Sequence, residues 1–227
     1  MKTYQYPCLG AIIGDTAGSM YEFNNIHTTD FPFFSRKSNY TDDTIMTIAV
    51  AEWLANTNRS QTALESRLVA YAEHNPCPIG GYGESFVRWL FQPEALRDFS
   101  HSGDTIKSEN KERHPYNSFG NGSAMRVSPI GWWYVNDLWE KAAKSAACTH
   151  NHEEGIRGAQ AVVWAMADAK ELRATYGDKL TEEIVLNNGL DHGVGIYEEF
   201  PQNFNIDLNK CRNKFDETCQ GTGPVAL

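Results

Sequence analysis

The sequence predicts an all-α fold in a single domain. Apolar residues recur at the helical spacing i, i+3, i+4 in several segments along the chain. Convincing strand patterns, in which apolar and polar residues alternate with a period of two, are absent from the sequence. The 227 residues suffice for one large domain with a substantial core, and no domain boundary stands out within residues 1–227.

Apolar stripes predict five helices after a glycine-rich helical segment that precedes Glu22. Thr62 and Glu65 have capping-box spacing, which predicts a helix start at Thr62. The last helix, rich in alanine, is predicted over residues 152–172. The stripes consist of Ile45, Ile48, Ala49, Trp53 and Leu54; Leu64, Leu68, Val69 and Ala72; Phe86, Val87, Trp89 and Leu90; Leu138, Trp139, Ala142, Ala143 and Ala146; and Ile156, Ala159, Val163 and Met166.

Two features interrupt the helical pattern. Gly155 and Gly158 would cost stability relative to alanine inside the last helix, so we expect them to permit close helix approach or substrate access. Residues 24–40 and 97–118 are long irregular stretches. Because loops of that length inside a compact domain are often functional, both stretches are candidates for parts of a site.

The composition excludes several classes of protein. Hydrophobic residues make up 41% of the chain and charged residues 22%, which is ordinary for a soluble globular protein. No run approaches the roughly 18 apolar residues of a membrane span, and the N-terminus lacks a signal-peptide pattern. Five cysteines without a CxxC pair argue against a disulfide framework or a zinc site. They predict a cytoplasmic protein with reduced thiols.

The formal net charge of −9 argues against a nonspecific nucleic-acid binder, because such proteins are normally basic. An anionic substrate would therefore have to be held locally. Metal ions, helix N-termini and backbone N–H groups are the features that can do so.

Thr41-Asp42-Asp43-Thr44, directly ahead of an apolar stripe, carries the most chemical information in the chain. Threonine and aspartate are preferred helix N-caps, and acidic residues in a first turn interact favourably with the helix dipole. Capping alone explains one threonine and one aspartate. Two adjacent carboxylates flanked by hydroxyls also form the hard-oxygen ligand set that Mg²⁺ and Mn²⁺ prefer. The tetrapeptide alone leaves both interpretations open.

Four other segments accompany this one. They are Gly10-Ala11-Ile12-Ile13-Gly14-Asp15-Thr16-Ala17-Gly18-Ser19-Met20-Tyr21-Glu22, Gly81-Tyr82-Gly83, Gly120-Asn121-Gly122-Ser123-Ala124-Met125-Arg126 with Pro129-Ile130-Gly131, and Thr149-His150-Asn151-His152-Glu153-Glu154-Gly155. In this order the five segments resemble the ADP-ribosylglycohydrolase family, the all-helical dimetal hydrolases that include ADP-ribosylarginine hydrolases and the enzyme acting on ADP-ribosylated dinitrogen reductase. The resemblance runs from Cys8 to about Met166. It implies a compact orthogonal helical bundle.

The resemblance implies a metal site and catalytic residues. Thr41, Asp42 and Asp43 match the family's first set of ligands for two Mg²⁺ or Mn²⁺ ions. Glu22 matches the glutamate that reaches the metal site and the scissile ribose; its position alone would suggest only a solvent-facing residue. Two cations can polarise a ribose hydroxyl and orient water, and Glu22, Asp42 and Asp43 are the candidate general bases.

The resemblance also implies a substrate pocket. Gly120-Asn121-Gly122-Ser123 is a turn-rich segment whose backbone N–H groups suit a pyrophosphate, although a simple connecting turn explains the same pattern. His150 matches a ligand-facing histidine, whereas an isolated histidine is more often structural. Gly83 would border the adenosine side. Arg126 has two open interpretations, a phosphate contact or a structural residue.

The family's second acidic motif, Gly-Gly-Asp-x-Asp-Thr near the C-terminus, is absent from the sequence. We therefore expect a C-terminally short bundle that lacks the family's last helices and holds one ion or none instead of two. Asp191, Asp216 and Glu217 lack the paired form that would replace the motif. Missing helices would expose apolar surface, which predicts self-association or instability.

The predicted function is metal-dependent hydrolysis that releases ADP-ribose. The bond would be an arginine-like N-glycosidic or serine-like O-glycosidic bond to a protein side chain, or a bond within a small molecule. The alternative is a catalytically impaired homologue that binds ADP-ribose or a related nucleotide without turnover. Expected partners are ADP-ribosylated proteins or ADP-ribose-containing small molecules, with neither nucleic acid nor membrane involved.

Overall fold

The described residues form α-helices joined by turns and 3₁₀ segments, and they contain no β-strand, as the computed structural model shows. The structure describes residues 8–91 except 25, 27 and 29, residues 113–133, and residues 136–184 except 182. The predicted all-α class is confirmed. The helices are α1 (Leu9–Gly18), α2 (Asp42–Ala55), α3 (Gln61–His74), α4 (Glu84–Phe91), α5 (Ser128–Trp133), α6 (Leu138–Ala147) and α7 (Glu153–Tyr176), with 3₁₀ turns at Asn121–Ser123 and Gly177–Lys179.

Helix α2 lies at the centre of the fold, where it packs against α1, α3 and α5. Its side chains are buried around most of the helix, and Met46, Val50 and Leu54 have no exposed surface. A helix that is apolar on nearly all sides belongs in a core. The buried Thr47 donates its hydroxyl to the Met125 carbonyl at 3.2 Å. These contacts hold the N-terminus of α2, which carries Asp42, in a fixed position.

Helix α3 begins at Gln61, because Ser60 is its N-cap. The Ser60 hydroxyl oxygen accepts a hydrogen bond from the Ala63 N–H at 3.2 Å. The capping box predicted for Thr62 and Glu65 is therefore wrong. Serine caps as well as threonine does, and the earlier residue starts the helix. Glu65 is buried and accepts a hydrogen bond from Gln61 Nε2 at 2.9 Å.

Helix α7 packs against α5 and α6. It begins after His152, whose Nδ1 accepts from the Glu154 N–H at 3.1 Å. It continues to Tyr176, beyond the predicted end at residue 172. Arg173 in the last turn donates to the Gly177 carbonyl at 2.8 Å and so ties the helix to the 3₁₀ turn that follows. None of the described helices is long and apolar enough to cross a membrane.

The two glycines of α7 have different surroundings. A Cβ at Gly155 would lie 2.6 Å from the Ser118 carbonyl oxygen and 2.9 Å from His150 Cβ. Gly155 therefore permits a close approach, but to the non-helical residues Ser118 and His150 instead of to another helix as expected. Among the described residues, a Cβ at Gly158 would meet only Ala124 Cβ at 3.8 Å, which is an ordinary contact. Close approach therefore does not explain Gly158.

The two irregular stretches are described to different extents. Within residues 24–40, Phe33 and Phe34 are exposed and their rings meet edge to face at 4.9 Å. Residues 97–112 lie outside the described residues, but Arg113 closes this stretch onto α4. Its Nε donates to the Trp89 carbonyl at 3.2 Å and its guanidinium lies 5.6 Å from the centre of the Trp89 ring.

The C-terminal residues 185–227 also lie outside the described residues. Asp191, Asp216 and Glu217 belong to this segment. The predicted C-terminal shortness of the bundle and the predicted self-association therefore stay predictions.

Candidate active site

A cavity of about 300 Å³ lies at the N-terminus of α2, the start of α4 and the 3₁₀ turn that precedes α5. Its volume is at the lower end of the range for small-molecule sites. Tyr116, Ser118 and Arg126 contribute to its wall. The predicted site residues that line it are Asp42, Gly83, Gly120, Asn121, Gly122 and His150.

Thr41 is the N-cap of α2, as the capping interpretation predicts. Its hydroxyl oxygen accepts from the Asp43 N–H at 3.2 Å and its hydroxyl donates to Asp15 Oδ1 at 2.6 Å. Since a hydroxyl oxygen has two lone pairs, one remains for another partner. Capping accounts for Thr41 and leaves Asp42 in the cavity wall, so the capping and ligand-binding interpretations are compatible.

Asp15 is a positioning residue that the sequence interpretation did not identify. Its Oδ2 accepts from the Thr41 N–H at 2.8 Å and from the Thr44 N–H at 3.2 Å, and the Thr44 hydroxyl also donates to it. Hydrogen bonds to a charged acceptor are stronger than neutral ones. Asp15 therefore fastens the start of α2 to α1. Its position in the first glycine-rich segment was the feature of the sequence that could have identified it.

The carboxylates around the start of α2 repel one another. Burial, followed by the charges of Asp43 and Glu22, raises the pKa of Asp42 to about 8. Burial, followed by Asp15 and Glu22, raises the pKa of Asp43 to about 7. Burial and the Asp15 charge also raise the pKa of Glu22. A carboxyl group whose pKa is raised in this way ionises more readily at neutral pH when a nearby cation offsets the repulsion between the carboxylates.

Glu22 lies against Gly80. A Cβ at Gly80 would lie 2.7 Å from Glu22 Oε2, and the φ of +85° at Gly80 is one that side-chain-bearing residues rarely adopt. Glu22 Oε2 is buried and has no hydrogen-bond partner among the described residues. Glu22 interacts electrostatically with Asp42, but neither Glu22, Thr41 nor Asp43 lines the cavity.

The chemistry of these donors fits a hard divalent cation, and the unpartnered Glu22 Oε2 is one oxygen that such an ion would satisfy. Within the part of the chain that the structure describes, no three acidic, histidine or cysteine side chains converge closely enough to hold a metal ion by themselves. An ion held here would complete its coordination shell with water, as Mg²⁺ commonly does.

His150 also lines the cavity and is buried. Its Nδ1 is 2.7 Å from Thr149 Oγ1. Burial, followed by the Arg126 charge, lowers the pKa of His150 to about 3, so the imidazole is neutral at physiological pH. A Cβ at Gly122 would lie 2.9 Å from both Nε2 and Cε1 of the ring, so glycine is required for this close packing of backbone on imidazole.

Ser123, the Gly120 N–H and Arg126, in and around the 3₁₀ turn, have internal partners. Ser123, 1% exposed and outside the cavity lining, donates to the Gly155 carbonyl at 2.6 Å. Its substrate-binding role stays a prediction. The Gly120 N–H already donates to Ser118 Oγ at 3.2 Å. Arg126 is buried and donates to the Ser145 carbonyl at 3.2 Å, as its structural interpretation predicts.

The chain is similar to known proteins. The sequence matches the ADP-ribosylglycohydrolase family over residues 8–218. It is 30% identical over 198 residues to ADP-ribosylhydrolase ARH3 of Xenopus tropicalis, which covers 81% of this chain and 53% of that protein. Identity to ADP-ribosylhydrolase ARH3 of Homo sapiens is 29% over 177 residues, covering 67% of this chain and 46% of that protein. The chain thus spans about half the length of the curated relatives it matches. Since the family match extends over most of the sequence, the chain belongs to the ADP-ribosylglycohydrolase family.

Proposed function

We propose that the protein hydrolyses the glycosidic bond at ribose C1″ of an ADP-ribose adduct and releases ADP-ribose. The supporting observation is one cavity that is lined both by Asp42 and by the neutral His150, which packs on Gly122. Asp42 offers carboxylate chemistry, and the residues around His150 offer hydrogen-bonding groups for the nucleotide. Family membership and the names of the relatives support release of ADP-ribose as the reaction.

In this reaction the oxygen of water bonds to C1″, the bond from C1″ to the leaving nitrogen or oxygen breaks, and the leaving group takes a proton. Asp42 is our first candidate for the general base, because it is the one predicted catalytic carboxylate that lines the cavity. Asp15 holds Asp42 in place through Thr41 and Thr44. A Mg²⁺ or Mn²⁺ ion held by Thr41, Asp42 and Asp43 would supply charge that polarises the ribose hydroxyl.

The substrate class follows from the same geometry. Gly83, Gly120-Asn121-Gly122 and His150, which line the cavity together with Asp42, would hold the pyrophosphate and adenosine portions. The modified group would then lie beside Asp42. An ADP-ribosylated protein side chain, linked through arginine or serine, or an ADP-ribose-containing small molecule satisfies this arrangement.

The test is release of ADP-ribose from an ADP-ribosylated arginine substrate, and separately from a serine-linked one, in the presence of Mg²⁺. Asp42→Ala with Asp43→Ala should lower the rate by at least about 100-fold, the usual contribution of a positioned general base. Glu140→Ala is the matched control, because Glu140 is an exposed acid paired with Lys144. Activity that persists in the double variant would contradict the assigned mechanism.

A second candidate function is ADP-ribose binding without turnover. It is favoured by the fact that the described carboxylates do not converge into a closed three-ligand metal site. Calorimetry that shows ADP-ribose binding without measurable hydrolysis of either substrate would support this function. Ordinary turnover would refute it.

A further inference from the structure

The hydrogen bond between Arg126 and Thr149 has a fixed direction. Arg126 Nη2 lies 2.8 Å from Thr149 Oγ1, and both side chains are buried. A guanidinium has donors only, so Arg126 donates and Thr149 Oγ1 accepts with one of its two lone pairs. The Thr149 hydroxyl hydrogen is therefore available to donate to a different acceptor.

Two acceptors are near that hydrogen. His150 Nδ1 lies 2.7 Å from Thr149 Oγ1. The Cys148 sulfur is the other neighbour, and it already receives Arg126 Nη2 at 3.5 Å. Thiol sulfur is a weak acceptor, whereas the bare nitrogen of a neutral imidazole is a strong one. The short distance and the stronger acceptor both direct the hydroxyl hydrogen to Nδ1.

A neutral imidazole carries one proton, so an Nδ1 that accepts requires the proton on Nε2. Nε2 faces the 3₁₀ turn, where a Cβ at Gly122 would lie 2.9 Å away and one at Gly120 4.0 Å away. We propose that Thr149 and Arg126 are positioning residues that hold His150 as the Nε2–H tautomer, so that the histidine presents a fixed hydrogen-bond donor to the cavity.

The donor would serve an anionic ligand. A neutral N–H that is already oriented donates to a phosphate or ribose oxygen without the cost of burying an imidazolium. This consequence rests on the proposed function, because it takes ADP-ribose as the ligand. The tautomer itself does not rest on it, so the two are tested separately.

The tautomer is read from ¹⁵N-labelled full-length protein by long-range ¹H–¹⁵N correlation of the imidazole rings. His150→Gln identifies the His150 signals among the seven histidines. The wild type should show a pyridine-type Nδ1 and a pyrrole-type Nε2 in the absence of ligand. A pyrrole-type Nδ1, or an even mixture of tautomers, would overturn the proposal; the tautomer is read from the wild type, and the variant serves only to assign its signals.

Two substitutions at Thr149 separate hydrogen bonding from packing. Thr149→Ser keeps the hydroxyl and should keep the tautomer, whereas Thr149→Val keeps the shape and should allow Nδ1 to carry the proton. Cys148→Ala removes the competing acceptor and should leave the tautomer unchanged. An unaltered tautomer in Thr149→Val, or an altered one in Cys148→Ala, would contradict the role of Thr149.

Affinity for ADP-ribose, measured by calorimetry, tests the consequence. Thr149→Val should bind about tenfold more weakly than the wild type, since one ligand hydrogen bond is lost, and Thr149→Ser should restore the affinity. Equal affinity in Thr149→Val would show that the donor is not used. If the wild type does not bind ADP-ribose, the proposed function fails while the spectroscopic test of the tautomer still stands.

Discussion

Two groups of residues at the cavity, which we call the acidic end and the histidine end, are built on opposite principles. The acidic end comprises Asp42, which lines the cavity, with Asp15, Glu22 and Asp43, which do not; the histidine end comprises Gly122, Arg126 and His150, which line it, with Thr149, which does not. At the acidic end, carboxylates repel one another. At the histidine end, hydrogen bonds link Arg126 to Thr149 and Thr149 to His150. Each group also contains a buried polar atom without a hydrogen-bond partner among the described residues, Glu22 Oε2 in the first and Arg126 Nε in the second.

Burial is the first cause of the shifted pKa at both ends, but the second cause differs. Desolvation disfavours charge, so it raises the pKa of Asp42 and lowers that of His150. Neighbouring carboxylates reinforce the shift at Asp42, and Arg126 reinforces it at His150. The acidic end therefore favours an added positive charge, whereas the histidine end is already organised for a ligand.

The largest expected effect is the acid sensitivity that His150 confers. His150 protonates near its usual pKa of 6.5 when unfolded but near 3 when folded, so the unfolded state binds more protons between these values. Its contribution to stability is therefore complete above pH 6.5 and is lost as the pH falls towards 3. Relative to His150→Gln, the wild type should lose of order 3 kcal/mol of unfolding free energy between pH 7 and pH 4.

Urea unfolding at both pH values measures this difference. Arg126 is the charged group that acts on His150, and it is present in both proteins. The acidic end titrates in both as well, so its contribution cancels in the comparison. Identical pH dependence in the two proteins would mean that His150 is not held neutral by burial.

The next effect is the response of stability to Mg²⁺, which should belong to the acidic end alone. A ligand that binds the folded state at 100 times its Kd adds about 2.7 kcal/mol to the unfolding free energy. We expect a gain of this order for the wild type and for His150→Gln, and none for Asp42→Asn with Asp43→Asn. Thermal unfolding with NaCl at matched ionic strength is the control. A metal response that survives in the double variant would remove the distinction between the two ends.

The smallest effect distinguishes the two glycines of α7. Gly155→Ala should destabilise the fold by about 2 kcal/mol, since its Cβ would overlap the Ser118 carbonyl and His150. Gly158→Ala has room and should stabilise the helix by up to about 1 kcal/mol. Chemical denaturation of both variants measures the contrast. If Gly155→Ala is as stable as Gly158→Ala, the histidine end is less tightly packed than its distances indicate.

The helices were largely predictable, because the spacing of their apolar residues can be read directly from neighbouring positions in the sequence. The stripe from Ile45 to Leu54 falls within α2, and that from Leu138 to Ala146 falls within α6. The predicted start of α3 was wrong because Ser60 and Thr62 are both suitable N-cap residues. The local sequence does not show which of the two caps the helix.

The site was less predictable from residues alone, because its decisive contacts join distant parts of the chain. Asp15 accepts a hydrogen bond from Thr41, and Gly80 makes room for Glu22. No local sequence pattern predicts either contact. The family resemblance identified residues that line the cavity. It did not predict that the Ser123 hydroxyl donates a hydrogen bond to the Gly155 carbonyl. Metal ligation and catalysis stay predictions.

Arg113 has a consequence for how this protein tolerates change. Its guanidinium donates to the carbonyls of Trp89 and Leu90, so the chain re-enters the described fold beside the point where α4 ends. Closing a chain segment between two such neighbouring points costs entropy that rises only slowly with the length of the segment. Lengthening the connection between Phe91 and Arg113 should therefore cost the described fold little stability.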